Sequence, residues 1–120
     1  MPNAEINAAK LLILRYRQAE TESAPIGIIC YSPSLDTLHF RLRTDYSFVH
    51  PDEMEIVAGI LSTLRAIVSE LGARATFLWL ESSLSNTIFV EGPMDLLTAD
   101  LERTVQEVYE RTISISTRSI

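Results

Sequence analysis

Cys30 and His39 are the residues whose types could do chemistry together. They flank a turn, so two antiparallel strands would set them opposite one another, within reach of a hydrogen bond. A thiol beside an imidazole is a recognised nucleophile, and a nearby Arg41 would favour the thiolate. No third residue that would orient the imidazole is evident, and a buried cysteine otherwise packs as a small hydrophobe. Packing therefore outweighs catalysis at this pair. Four arginines make a second candidate. Arg15, Arg17, Arg41 and Arg43 recur at alternate positions of two strand-like segments and could hold a phosphate or carboxylate bidentately. Pairing with Asp and Glu along a rim or an interface is the simpler use of them. His50, Asp52 and Glu53 offer three metal-ligand types, but Pro51 and a helix start aim them apart, and capping accounts for the same residues. No metal and no cofactor are expected. The four glycines are too scattered for a phosphate-binding loop or a nucleophile elbow.

Those side chains must be carried by a sheet and by one long helix. Residues 49–72 open His50-Pro51-Asp52-Glu53 and close Glu70-Leu71-Gly72, which are helix start and stop signals. Between them Met54, Val57, Leu61, Leu64, Val68 and Leu71 step by three and four onto one face, which Ile56, Ile60 and Ile67 widen. Such a helix runs roughly 30 Å and must lie across a sheet or another helix.

Residues 4–18 read two ways. Asn3 could cap a helix with Ile6, Ala9, Ile13 and Tyr16 on one face. Residues 10–18 also alternate as a strand, Leu12, Leu14 and Tyr16 on one side and Leu11, Ile13, Arg15 and Arg17 on the other, and the strand is favoured. Residues 19–25 form a polar loop ending at Pro25. Residues 26–32 and 37–43 are strands joined by the turn Pro33-Ser34-Leu35-Asp36. As a four-residue connection it sets Cys30 opposite His39, Ile28 opposite Arg41 and Tyr31 opposite Leu38; a slip to a two-residue loop changes these partners but keeps the same faces. One face of the hairpin carries Gly27, Ile29, Tyr31, Leu38, Phe40 and Leu42, a core face. The other carries Ile26, Ile28, Cys30, His39, Arg41 and Arg43.

After Gly72, residues 75–81 read as a strand apolar on both sides, with Phe77 and Trp79 on one and Leu78 and Leu80 on the other. Residues 86–91 read as another strand. Gly92-Pro93 then starts a second helix, with Asp95 in its first turn and Met94, Leu97, Leu101, Val105 and Val108 as its stripe. The tail, 112–120, reads as a short edge strand or a frayed end. The expected fold is therefore α+β, a single domain over residues 1–120. It has an antiparallel sheet of about five strands with two amphipathic helices in the order βββαββα. Were both helices on one face, the opposite face would expose Ile26, Ile28 and Trp79, too apolar to stay wet. A symmetric homodimer burying those residues follows. One helix on each face of the monomer, or a terminal segment folded across, is the alternative.

Composition narrows the function classes. The chain has 120 residues, 47% of them hydrophobic, and a mean hydropathy of +0.14, on the apolar side for its size. Positive and negative residues balance in residues 1–50, so the net charge of −6 lies wholly in 51–120. An acidic chain of pI ≈ 4.8 is poorly suited to nucleic acid or to anionic membranes, so neither is expected as a partner. A lone cysteine and no signal-like run point to a cytoplasmic setting.

Leu14-Arg15-Tyr16, the polar loop, Ile26-Gly27-Ile28 and Tyr31-x-Pro33 together resemble the opening of a bacterial domain family of unknown function, with Pro25 where that family has Asn. The resemblance implies a strand at 10–18 and no catalytic residues. A helical first segment would instead give the order αββαββα, similar to the roadblock and longin group of small regulatory domains, which dimerise and modulate small GTPases. The expectation is a homodimeric protein-interaction or regulatory module. Its acidic second helix (Glu102, Glu107 and Glu110) is one contact face for a basic partner. An enzyme or anion-binding module using Cys30, His39 and Arg41 is the competing class.

Overall fold

A computed structural model describes residues 6–82 and 87–114 of the chain. Strands β1 (Asn7–Ala19), β2 (Glu22–Ser32) and β3 (Thr37–Leu42) are followed by helix α1 (Met54–Ser82), strand β4 (Ile88–Thr98) and helix α2 (Leu101–Tyr109). Among the described residues the fold is α+β, with one antiparallel sheet of four strands in the order β3-β2-β1-β4, not the expected five, and the chain order is βββαβα in place of βββαββα. The first segment is a strand. The helix that the roadblock and longin order requires there does not form among the described residues. Its alternation explains why. Leu12, Leu14 and Tyr16 enter one buried cluster while Leu11 and Ile13 enter another, so a period of two places every large side chain.

The two clusters lie on opposite faces of the sheet. α1 covers Leu12, Leu14, Ile29, Tyr31 and Leu42 with Val57, Leu61 and Leu64. α2 and a π-helical turn, Glu110–Ser114, cover Leu11, Ile13, Ile28 and Cys30 with Leu101, Val105, Tyr109 and Ile113. The apolar second face is thus roofed by the chain's own helix, one helix to each face, and needs no second copy to keep it dry.

Three expected elements are corrected. Residues 75–81 are helical, not a strand. Gly72 (φ 85, ψ −178) breaks α1, and Thr76 Oγ1 donates to the Gly72 carbonyl at 2.7 Å as the helix resumes. Past the break, Phe77 stacks on Tyr31 at 4.8 Å between ring centroids, so this second segment lies over β2. Residues 19–25 are not a loop, because β1 and β2 pair out to Ala19 and Glu22. The second helix begins at Leu101, not at Gly92-Pro93. Residues 92–98 continue β4, and the Asp100 carboxylate accepts the Arg103 N–H at 3.1 Å as the helix cap. Met94 and Leu97, expected in the helical stripe, sit on this strand and are exposed. The tail expected at 112–120 begins within the π-helical turn, and 115–120 lie outside the described residues.

Bulges adjust the faces. Leu14 pairs with Gly27 and Arg15 with Pro25, so Ile26 is the extra residue on β2. The slip turns Ile26 into the α1 cluster, away from Ile28 and Cys30 with which simple alternation had grouped it. On β4, Gly92 and Pro93 together stand against Leu12.

Candidate functional site

The β2–β3 register is the expected one: Cys30 opposite His39, Ile28 opposite Arg41, Tyr31 opposite Leu38. Proximity does not make a nucleophile here. Cys30 is 0% exposed beneath α2, and burial pushes its thiol up to about 11. A thiol with that value is protonated at neutral pH, and no substrate can reach it. His39 is half-buried, and its imidazole is not bonded to the thiol.

The four arginines do not converge. The intervening strand keeps β1 and β3 roughly 10 Å apart. Arg15 is paired with Glu91 at 2.6 Å and donates to Ser23 at 3.3 Å. Arg17 lies over the Phe89 ring at 4.6 Å and donates to the Glu20 carbonyl. Arg15 alone of the four borders an open depression of about 810 Å³ that also takes in Gln18, Thr21, Glu22 and Glu91, too shallow and too mixed in charge to hold an anion. Arg41, on the α2 side, donates to Gln106 and lies 4.3 Å from the Tyr109 ring centre. Arg43 has crossed to the α1 side, where it is buried over Phe48 at 4.0 Å, with its Nε unpartnered.

His50, Asp52 and Glu53 organise the start of α1. The His50 Nδ1 accepts the Asp52 N–H at 3.2 Å, ahead of a single 3-10 turn, Pro51–Glu53. The Tyr16 hydroxyl donates to Glu53 at 2.5 Å and accepts the His50 N–H at 3.1 Å. Burial first, then the neighbouring carboxylate, hold the Tyr16 phenol above its ordinary value. This network ties β1 to the helix entrance. Composition offered no signal for it, since Tyr16 and Glu53 are far apart in sequence. No three of His, Cys, Asp and Glu gather as a metal site among the described residues.

A cleft of about 170 Å³ separates β3 from α2, lined by His39, Phe40, Arg41, Glu102, Val105 and Gln106. Glu102 and Arg41 share this cleft, yet neither takes part in an ion pair among the described residues. The rest of the α2 acidic face is partly neutralised. Glu107 meets Arg103 at 3.1 Å and Arg111 at 3.9 Å, and Glu110 accepts from Gln106.

Of the expected interface residues, Ile26 and Ile28 are fully buried within the chain, and Trp79 packs half-buried against the α1 cluster. The uncovered apolar surface lies elsewhere, chiefly on α1. Only 22% of the most apolar 18-residue window within Pro51–Ser82 is buried, at a mean hydropathy of 1.5. Met54, Ile56, Leu71 and Leu78 are exposed along it, Leu71 to 65%. Comparison with protein-family models, with curated proteins and with solved structures finds no match to this chain.

Proposed function

We propose that this protein works by association: a homodimeric protein-interaction module, with no catalysis of its own. The observation that carries the interaction reading is the apolar surface left on α1, which suits a different protein, while the unpaired sheet edge at β3 suits a second copy. Val57, Leu61 and Leu64 are consumed by the sheet, while Met54, Ile56, Leu71 and Leu78 stay in water on a helix of high hydropathy. A helix this apolar and this little buried marks an interaction site. The absence of a reactive thiolate at Cys30 and the dispersal of the four arginines favour binding over chemistry.

Sedimentation of the purified chain at micromolar concentration tests the self-association. A dimer is the expected species, and a strict monomer removes the homodimer. One observation favours a second reading, since Pro51–Ser82 is long and apolar enough to cross a bilayer. Insertion would strip Val57, Leu61 and Leu64 from Leu12 and Leu14, and that loss opposes it. Co-flotation with neutral phosphatidylcholine vesicles decides between the two.

A further inference from the structure

The sheet has two edges, and they differ. On β4 the ladder is interrupted where Gly92 and Pro93 face Leu12, and Pro93 has no N–H to offer a neighbour. Such bulges and prolines are how natural edges resist pairing. β3 has neither. It runs in unbroken register with β2 from Thr37 to Leu42, and alternate residues turn their N–H and C=O groups away from the sheet. Directly below this edge lies the cleft that holds Arg41 and Glu102, two opposite charges without an ion-pair partner among the described residues.

We infer that β3 pairs antiparallel with β3 of a second copy about a two-fold axis, with Arg41 of each chain bonded to Glu102 of the other. This rests on the homodimer proposed above and names its contact surface. A two-fold axis normal to the sheet keeps each face on its own side, so only registers centred on a residue are allowed. Centred on Phe40, the α1 side sets Phe40 against Phe40 and Leu38 against Leu42, all of them apolar. The α2 side sets Arg41 against the His39 of the other copy, at the mouth of the cleft that Glu102 lines. Each arginine thereby gains a carboxylate, and the two ion pairs form by symmetry. The outer face of α1 is left for other partners.

Charge exchange tests this pairing. Arg41→Glu alone sets two carboxylates against each other at both contacts, and Glu102→Arg alone sets two guanidinium groups against each other. Each variant is expected to raise the dimer dissociation constant by about tenfold or more. In a dimer of one variant with the other, one contact joins two wild-type residues of opposite charge and the second joins the two exchanged ones, again of opposite charge. Sedimentation of the mixture is therefore expected to recover a dimer. Both sites are exposed, and that recovery also certifies that each variant is folded. If the wild type is dimeric and neither substitution weakens it, this surface is wrong and the homodimer stands. If the two variants are monomeric alone and remain so when mixed, the cross-chain ion pair is refuted. A monomeric wild type overturns the dimer and this contact together.

Discussion

The hydroxyl of Tyr16 and the thiol of Cys30 show what burial does to single groups on the two faces of the sheet. Both are held above their ordinary values, chiefly by desolvation. A group whose value is raised by folding keeps its proton longer in the folded state. It therefore stabilises the fold fully below its unfolded value, and the contribution is lost as pH rises toward the folded one. For Cys30 the window runs from 9.0 to about 11. Stability measured by urea titration should fall across that range, and Cys30→Ala should flatten the fall, whatever it costs in packing. Below pH 8 the wild-type thiol should ignore a disulfide reagent until the chain is unfolded. Rapid labelling of the native chain would revive Cys30 as a nucleophile. Tyr16→Phe removes a donor to Glu53 and an acceptor for the His50 N–H, at a cost of about 1–3 kcal/mol in the same titration.

At the scale of elements, glycine decided more than hydrophobic period did. The stop signal at Gly72 was legible, because only glycine takes φ 85 with ψ −178 at ease. What could not be read was the resumption of helix beyond it. Phe77, Leu78, Trp79 and Leu80 form an apolar run too short for period to separate strand from helix, and stacking of Phe77 on Tyr31 settles it. Gly92-Pro93 misled in the opposite sense. With Asp95 they imitate a helix start, yet Leu11, Ile13 and Tyr16 of β1 offer β4 a ladder that outweighs the local signal, and Asp100 is the true cap. The hairpin register of β2 and β3 was readable from Pro33 and Asp36. The bulge at Ile26 was not, and it moved both Ile26 and Arg43 across the sheet. Gly72→Ala should lower stability by about 1–3 kcal/mol, since the added methyl has open space and the penalty is conformational alone. Denaturant unfolding measures it, and an unchanged midpoint would mean that the break is not held in solution.

On the scale of the whole molecule, α1 has two fates along one helix. Leu64 is fully buried against the sheet, while Ile56, two turns earlier, is 47% exposed. Leu64→Ala should cost about 2–5 kcal/mol, because it opens a cavity between α1 and the sheet. Ile56→Glu removes a large apolar group from water and touches no core contact, so the stability change should stay within about 0.5 kcal/mol. If dimerisation runs through β3, the Ile56 face remains wet in the dimer as well. Fluorescence of a dye that lights up on apolar surface should then fall in Ile56→Glu, while sedimentation still reports two chains. Loss of the dimer in this variant would instead mean that the two copies meet along α1, and the free edge at β3 would be left for another strand. The same two measurements therefore locate the self-contact and ask whether the long helix is held in reserve for a different protein.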